Sequence, residues 1–191
     1  RTIFILAASF HKQEEGYEHQ TVLDATIKQP EELLSWEDML AQMGGFMPKP
    51  LKAFLEIERP IDFKPTSIAN PLDPKDLPPN LDVWFKIKGK VKDLSLATKQ
   101  QVLTYISDYN ILNSTLHPHA SKANFNNTQM ASLDHSMWFF RDFDINDWML
   151  YRIESPNTSG ARGFARGNIY SRTGELIASV AQEGLMRPHK K

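Results

Sequence analysis

At 191 residues the chain has the size of one ordinary domain with a remainder, or of two small ones, and it can bury a sizeable core. Hydrophobic residues at 41% and charged ones at 24% sit close to globular averages and far from disordered, collagen-like and membrane classes. A net charge of −1 excludes the broad basic field that draws proteins to nucleic acid, and the absence of cysteine excludes disulfides, thiolate catalysis, zinc–cysteine sites and redox switching.

The chain opens "RTIFILAASF", with Ile, Phe, Leu and Ala on both alternating faces, which predicts a buried strand over 2–11. No initiator methionine or charged leader precedes it, so it reads as the continuation of something upstream, and no apolar run is long enough to span a bilayer. After the acidic "KQEEGYEHQ", Pro30 followed by "EELLSWEDMLAQMGG" predicts one helix: proline at its first position, acids in its first turn, Gly44-Gly45 past its end. Nine of the twelve prolines fall between Pro30 and Pro79, a density that marks a connecting region wrapped over a surface. Inside it a strand is expected at about 54–63, with Leu55, Ile57, Ile61 and Phe63 on one face.

From Asp82, "DVWFKIKGK" alternates Val83, Phe85 and Ile87 against Trp84, Lys86 and Lys88, as a half-exposed strand does. A helix follows at about 95–110, capped by Asp93 or Ser95. Leu96, Val102, Leu103, Tyr105, Ile106 and Tyr109 cover more than half its circumference, so it should be sunk into the protein. Gln101, Thr104 and Asp108 form its narrow polar strip. A polar loop at 113–128 contains "LHPHAS", whose histidines lack metal-ligand spacing and read as plain loop residues.

Strands are expected at about 129–140, 147–155, 161–171 and 175–187, the last two joined by "SRTGE" with glycine where a positive φ is needed. Gly163, Ala165 and Gly167 share one face and leave room for a close approach, such as a helix lying across the sheet. One long buried helix and about six antiparallel strands make an α+β protein in which a curved sheet wraps a helix, the hotdog layout.

The stretch "SLDHSMWFF" sets polar groups inside an apolar run. Period-two alternation places Met130, Ser132, Asp134, Ser136 and Trp138 on one face, and Ala131, Leu133, His135, Met137 and Phe139 on the other. In "SVAQEGLMR", Gln182 falls on the face of Val180 and Leu176, an uncharged polar group amid apolar neighbours, while Glu183 points away. Asp108 ends the buried helix. A carboxylate, a hydroxyl and an amide on three separate elements can converge: the carboxylate orients a water and accepts its proton, and the other two fix the water or a carbonyl. No covalent nucleophile is needed for an activated bond such as a thioester. Spacing alone leaves plainer readings open, with Asp108 facing solvent, Ser132 and Gln182 as structural hydrogen bonders, and Asp134-His135 as a local ion pair or the end of an exposed edge.

"FILAASFHKQEEGYEHQ", "SDYNIL", "SLDHSMWFFRDFDINDWMLY" and "GARGFARGNIYSRTGELIASVAQEGLMR" together resemble the acyl-CoA thioesterase II family, the double-hotdog thioesterases of bacteria and peroxisomes, over essentially the whole chain. The resemblance implies the second half of a double hotdog. Residues 1–20 would carry the last strand of a truncated N-terminal hotdog, 21–52 a linker with a helix, and 53–188 the C-terminal hotdog. It implies hydrolysis of acyl-CoA thioesters to fatty acid and coenzyme A by a water that an Asp, a Ser or Thr, and a Gln hold in place. By motif these are Asp108 of "SDYN", Ser132 two residues before "DHSMW", and Gln182 of "VAQEG". Asp134-His135 then supports Ser132 structurally, with Asp134 as the alternative base.

No cofactor or metal is implied. The implied partners are acyl-CoA as substrate, an N-terminal hotdog paired with this one, and further copies in a homo-oligomer, with no nucleic acid and no membrane. Arg162 and Arg166 are candidates for the phosphates of coenzyme A, although exposed strand arginines are common. Two readings of other classes stand beside this one. The domain is a non-catalytic acyl-binding or dimerisation module, or it is an enoyl-CoA hydratase or dehydratase, which would need a histidine near Asp108 that the flanking sequence lacks. Peroxisomal relatives end in a Ser-Lys-Leu type address, whereas "RPHKK" here points to bacterial cytoplasm, with the peroxisome as the alternative.

Overall fold

The structure is a computed structural model and describes residues 2–12, 14–24, 26–47, 49–67 and 73–189. Among them, seven strands form one antiparallel sheet: β1 (Ile61–Pro65), β2 (Asn80–Ile87), β3 (Thr128–Ser132), β4 (Ser136–Phe139), β5 (Met149–Ser159), β6 (Arg162–Ser171) and β7 (Leu176–Pro188). The spatial order is β1-β2-β5-β6-β7-β3, and β4 also pairs with β7. At thirteen residues β7 is long enough to serve both, with β3 along 184–188 and β4 along 178–181. Gly174, at φ +89°, turns β6 into β7 as expected.

Four α-helices are described: α1 (Trp36–Met43), α2 (Lys49–Glu56), α3 (Leu96–Ser107) and α4 (Asn113–Leu116). Ser95 caps α3 by accepting from the Thr98 N–H at 3.1 Å. Leu103 and Ile106 of α3 enter the main core with Val83, Phe85, Tyr151, Ile169 and Val180 from the inner face of the sheet. This is the hotdog layout, with one correction. The helix is buried on one side only, because the sheet covers only that side: Leu96 and Tyr105 are 42% and 55% exposed.

The linker departs furthest from expectation. The single helix after Pro30 is a 3-10 turn (Pro30–Glu32), an extended joint, and then α1. Ser35 makes the break: its hydroxyl accepts from Asp38 N–H at 3.0 Å, and the Asp38 carboxylate accepts from Ser35 N–H at 2.8 Å. That reciprocal cap starts a new helix at Trp36, and the Ser35 hydroxyl, donating to the Asp38 carboxylate at 2.7 Å, together with the Ser35 N–H holds that carboxyl below its ordinary pKa. The strand expected at 54–63 begins only at Ile61, since 49–56 are helical. Leu51 and Leu55, four apart, carry the helical spacing inward, and the Arg59 guanidinium donates to the Phe54 and Ile57 carbonyls at 2.9 and 2.8 Å, satisfying the helix end.

On the outer face of the sheet, Trp84, Trp148, Leu150 and Tyr170 form a second cluster under the linker's Leu23, Ile27 and Leu33. Trp84 donates from its indole to the Lys28 carbonyl at 2.8 Å and is fully buried. β2 is therefore covered on both sides at that position, not half-exposed as its alternation suggested. Residues 2–11 form no strand, and Ile3 and Phe10 are 98% and 96% exposed. A strand exists through hydrogen bonds to a neighbour, and no described residue here supplies them.

The expected polar loop at 113–128 begins with α4 and a 3-10 turn, His117–His119. Gly163 and Gly184 face each other across β6 and β7 and make room for this segment. A Cβ on Gly184 would lie 2.5 Å from Leu112 Cδ1, and one on Gly163 would lie 2.7 Å from Thr115 Cβ. Gly163 and Gly184 thus receive the start of α4, while a Cβ on Gly167 would lie 2.5 Å from the Tyr151 ring. No helix among the described residues is long and apolar enough to cross a membrane.

Candidate active site

Three elements distant in sequence meet at one point. Asp108 is the C-cap of α3, and Asn110 at φ +70° turns the chain away immediately after it, so the carboxylate stands exposed at the helix end. Ser132 ends β3 opposite Gly184. Gln182 lies on β7 opposite Ala165, fully buried on the inner face beside Val180.

Gln182 Nε2 donates to Asp108 Oδ1 at 3.0 Å and to Ser132 Oγ at 2.8 Å. Ser132 Oγ donates in turn to Asp108 Oδ1 at 3.4 Å. All three residues singled out in the sequence therefore converge. Both bonds to the carboxylate end on Oδ1, which leaves Oδ2 to accept from a water. Burial of the amide dries one side of the cluster, while the acid and alcohol remain open to solvent.

Alternation of faces along 129–140 does not survive. The Leu133 and Asp134 N–H groups both point at the Glu183 carbonyl, at 2.9 and 3.4 Å, and Asp134 Oδ1 accepts from Glu183 N–H at 2.9 Å. Ser132 pairs with Gly184 and Ser136 with Ala181, so four steps on one strand oppose three on the other. The extra residue is a β-bulge. It inverts the pattern: Ser132 and His135 share the inner side with Met137 and Phe139, while Trp138 lines a cavity on the outer face. The Asp134 carboxylate is spent on the Glu183 backbone. A second irregularity, between Ile169 and Tyr170 of β6, sends Leu176 to the outer cluster and separates it from the Gln182 face.

Sequence reasoning missed Ser107 and gave His135 only as a structural support of Ser132, without its partners. His135 stands 2.5 Å from Gln182 Oε1 through Nδ1 and 2.9 Å from Ser107 Oγ through Nε2. Ser107, fully buried, takes a hydrogen bond on its carbonyl from Tyr151 OH at 3.2 Å. Burial, with the Asp108 charge adding to it, drives the Tyr151 hydroxyl well above its ordinary pKa and keeps it a neutral donor. The polar "DHS" was the available signal for His135, and the bulge hid which way it faces.

The cavity of about 550 Å³ on the outer face holds none of these residues. Its charges are paired internally, Arg152 with Asp82 at 3.3 Å and Arg166 with Glu154 at 2.5 Å. Burial pushes the Asp82 carboxyl above its ordinary pKa against the pull of Arg152. Arg162 pairs with Glu183 at 3.2 Å. No group of three or more His, Asp or Glu side chains suited to a metal ion occurs among the described residues.

Comparison with known proteins gives the family. The family model described as acyl-CoA thioesterase matches residues 51–185. The chain is 38% identical to acyl-CoA thioesterase 2 of Haemophilus influenzae, over 97% of its own length and 64% of that protein. It is 34% identical to acyl-coenzyme A thioesterase 8 of Homo sapiens, over 98% of its length and 60% of the relative's. Among solved structures, the acyl-CoA thioesterase II TesB2 of Mycobacterium marinum superposes with a TM-score of 0.69 at 28% identity, covering 93% of this chain and 60% of that one. A hot dog protein of unknown function from Alicyclobacillus acidocaldarius shares the fold at a TM-score of 0.64 and 12% identity, over 93% of this chain and 60% of that one. The chain spans just under two thirds of the length of these curated relatives, and with most of its own length matched by the family model it belongs to the acyl-CoA thioesterase family.

Proposed function

We propose that this chain carries the hydrolytic site of an acyl-CoA thioesterase, with Asp108 as general base and Ser132 and Gln182 as the groups that hold the attacking water. The observation that carries the reading is the single amide nitrogen of Gln182, within hydrogen-bond distance of both the carboxylate and the hydroxyl.

The chemistry follows from those donors and acceptors. A water on Oδ2 of Asp108 gives up a proton as its oxygen attacks the thioester carbonyl carbon. The tetrahedral oxyanion collapses, the C–S bond breaks, and the proton on Asp108 passes to the departing sulfur. Thioester and water become fatty acid and coenzyme A thiol. A thioester lacks the resonance of an amide, so a positioned water suffices without a covalent nucleophile.

The acyl chain and the nucleotide need walls beside Asp108, Ser132 and Gln182, and the cavity of about 550 Å³ lies on the other face. A paired N-terminal hotdog supplies them in this reading. Residues 1–20 carry that unit's last strand, 21–52 the linker and 53–188 the C-terminal hotdog. The exposed Ile3, Phe4, Ile5 and Leu6 support a strand that pairs elsewhere.

Ser132→Ala in the complete protein tests the arrangement. A hydrogen bond to a charged group is worth about 1.5–3 kcal/mol, so kcat for acyl-CoA hydrolysis, followed by release of free thiol, falls roughly 10–10²-fold. Unchanged kcat would remove Ser132 from the site.

A further inference from the structure

The hydrogen bonds around Gln182 determine more than the position of a water. A carboxamide has two N–H donors and one acceptor oxygen, and a carboxylate only accepts. Facing Asp108, Gln182 must therefore present Nε2, and its two protons serve Asp108 and Ser132. The amide oxygen is left pointing at His135 Nδ1, 2.5 Å away, in a residue with no exposed surface. A buried acceptor without a donor is costly, so the imidazole carries its proton on Nδ1.

The other ring nitrogen is also held. Nε2 meets Ser107 Oγ at 2.9 Å, and Ser107 is the last residue of α3, directly before Asp108. The bonds close a ring, from Asp108 through the backbone to Ser107, across to His135, on to Gln182 and back to Asp108. It ties the helix end, the bulge and β7 into one unit.

We propose that His135 is a positioning residue for hydrolysis: its Nδ1–H fixes the orientation of the Gln182 carboxamide, so that Nε2 faces Asp108, Ser132 and the attacking water. This rests on the reading of those three residues as the hydrolytic group. Without the imidazole donor, the amide oxygen takes its proton from the nearest alternative, the Ser132 hydroxyl. The amide then swings, and both Nε2 bonds lose their geometry.

Three substitutions in the complete protein separate this role from simple packing. His135→Asn keeps an N–H near the Nδ1 position, His135→Gln reaches only toward the Nε2 end, and His135→Phe keeps the ring without a donor. Misplacing a reacting group by about 1 Å costs on the order of 10²-fold in rate. His135→Phe and His135→Gln therefore lose about 10²-fold in kcat at unchanged KM for a saturated acyl-CoA, and His135→Asn stays within about tenfold of wild type. A packing role reverses the order, favouring Phe over Asn, and that result overturns the proposal.

The second measurement needs no variant to be active. In wild-type protein labelled with ¹⁵N-histidine, the His135 signal, assigned by its loss in His135→Asn, shows a protonated Nδ1. An unprotonated Nδ1 at a pH where the enzyme turns over overturns the proposal whatever the kinetics. The two readings also fail apart. If Asp108→Asn is inactive while His135→Phe keeps wild-type kcat, only the positioning role falls. If Asp108→Asn keeps wild-type kcat, the hydrolytic reading falls, and the proposal with it.

Discussion

Asp108→Asn lowers kcat for acyl-CoA hydrolysis by about 10²–10⁴-fold, the range for loss of a positioned general base, and leaves KM and the unfolding midpoint nearly unchanged. The substitution isolates the chemistry because so little else changes. Asn has the same shape, and its Oδ1 still accepts from Gln182 Nε2 and Ser132 Oγ. What disappears is the second carboxylate oxygen, Oδ2, replaced by an N–H₂ that cannot take a proton from water. Asp108 is exposed at the end of α3, so no buried charge is left unpaired by its removal. A variant that folds normally, binds substrate normally and turns over at the wild-type rate would assign the base to another residue. Asp134 is the weaker rival, because its carboxylate is bonded to the Glu183 backbone.

Gln182→Glu has the second large effect, and it acts on rate and stability together. The change removes both N–H donors, and losing one preorganised donor of this kind costs about 10²–10³-fold in kcat. It also sets a second carboxyl in the place of Nε2, 3.0 Å from Asp108, at a fully buried position. Two carboxylates so close share one proton, and burial raises the introduced group's pKa further. In the folded variant the pair holds a proton that the unfolded chain gives up near its ordinary carboxylate pKa. Stability is therefore greatest in acid and falls as pH rises through the raised folded value. Thermal unfolding between about pH 5 and pH 8, the span over which a raised carboxyl titrates, shows a falling midpoint in the variant relative to wild type. A parallel pH profile in the two proteins would mean that the introduced carboxyl is not pressed against Asp108.

The strand and helix patterns were most legible where one face is buried and the chain is regular. β5, β6, β7 and α3 lie close to their expected positions because period-two and helical spacing hold along most of their lengths, broken in the strands only at single shifts of register. The site was legible for a different reason: an amide on the apolar face that carries Val180, or a carboxylate at a helix end, stands out from its neighbours. What failed were features set by single residues or by neighbours. Ser35 splits one predicted helix in two by capping the second half. One extra residue between Ser132 and Ser136 turns the alternation over and brings His135 to the inner side, which no count of periodicity reveals. Trp84 is buried on the outer face because the linker crosses there, a contact between residues 56 positions apart. Residues 2–11 have strand composition and no strand, since pairing needs a partner as well as a propensity.

The central claim is that a water, and no side chain, attacks the thioester, and oxygen transfer tests it directly. In a single turnover with enzyme in excess, run in H₂¹⁸O, every released fatty acid should carry one solvent oxygen, and the peptide containing Asp108 should carry none. A first-turnover acid without ¹⁸O, together with label in Asp108, would show that the carboxylate itself attacks through an acyl-enzyme anhydride and would contradict the account.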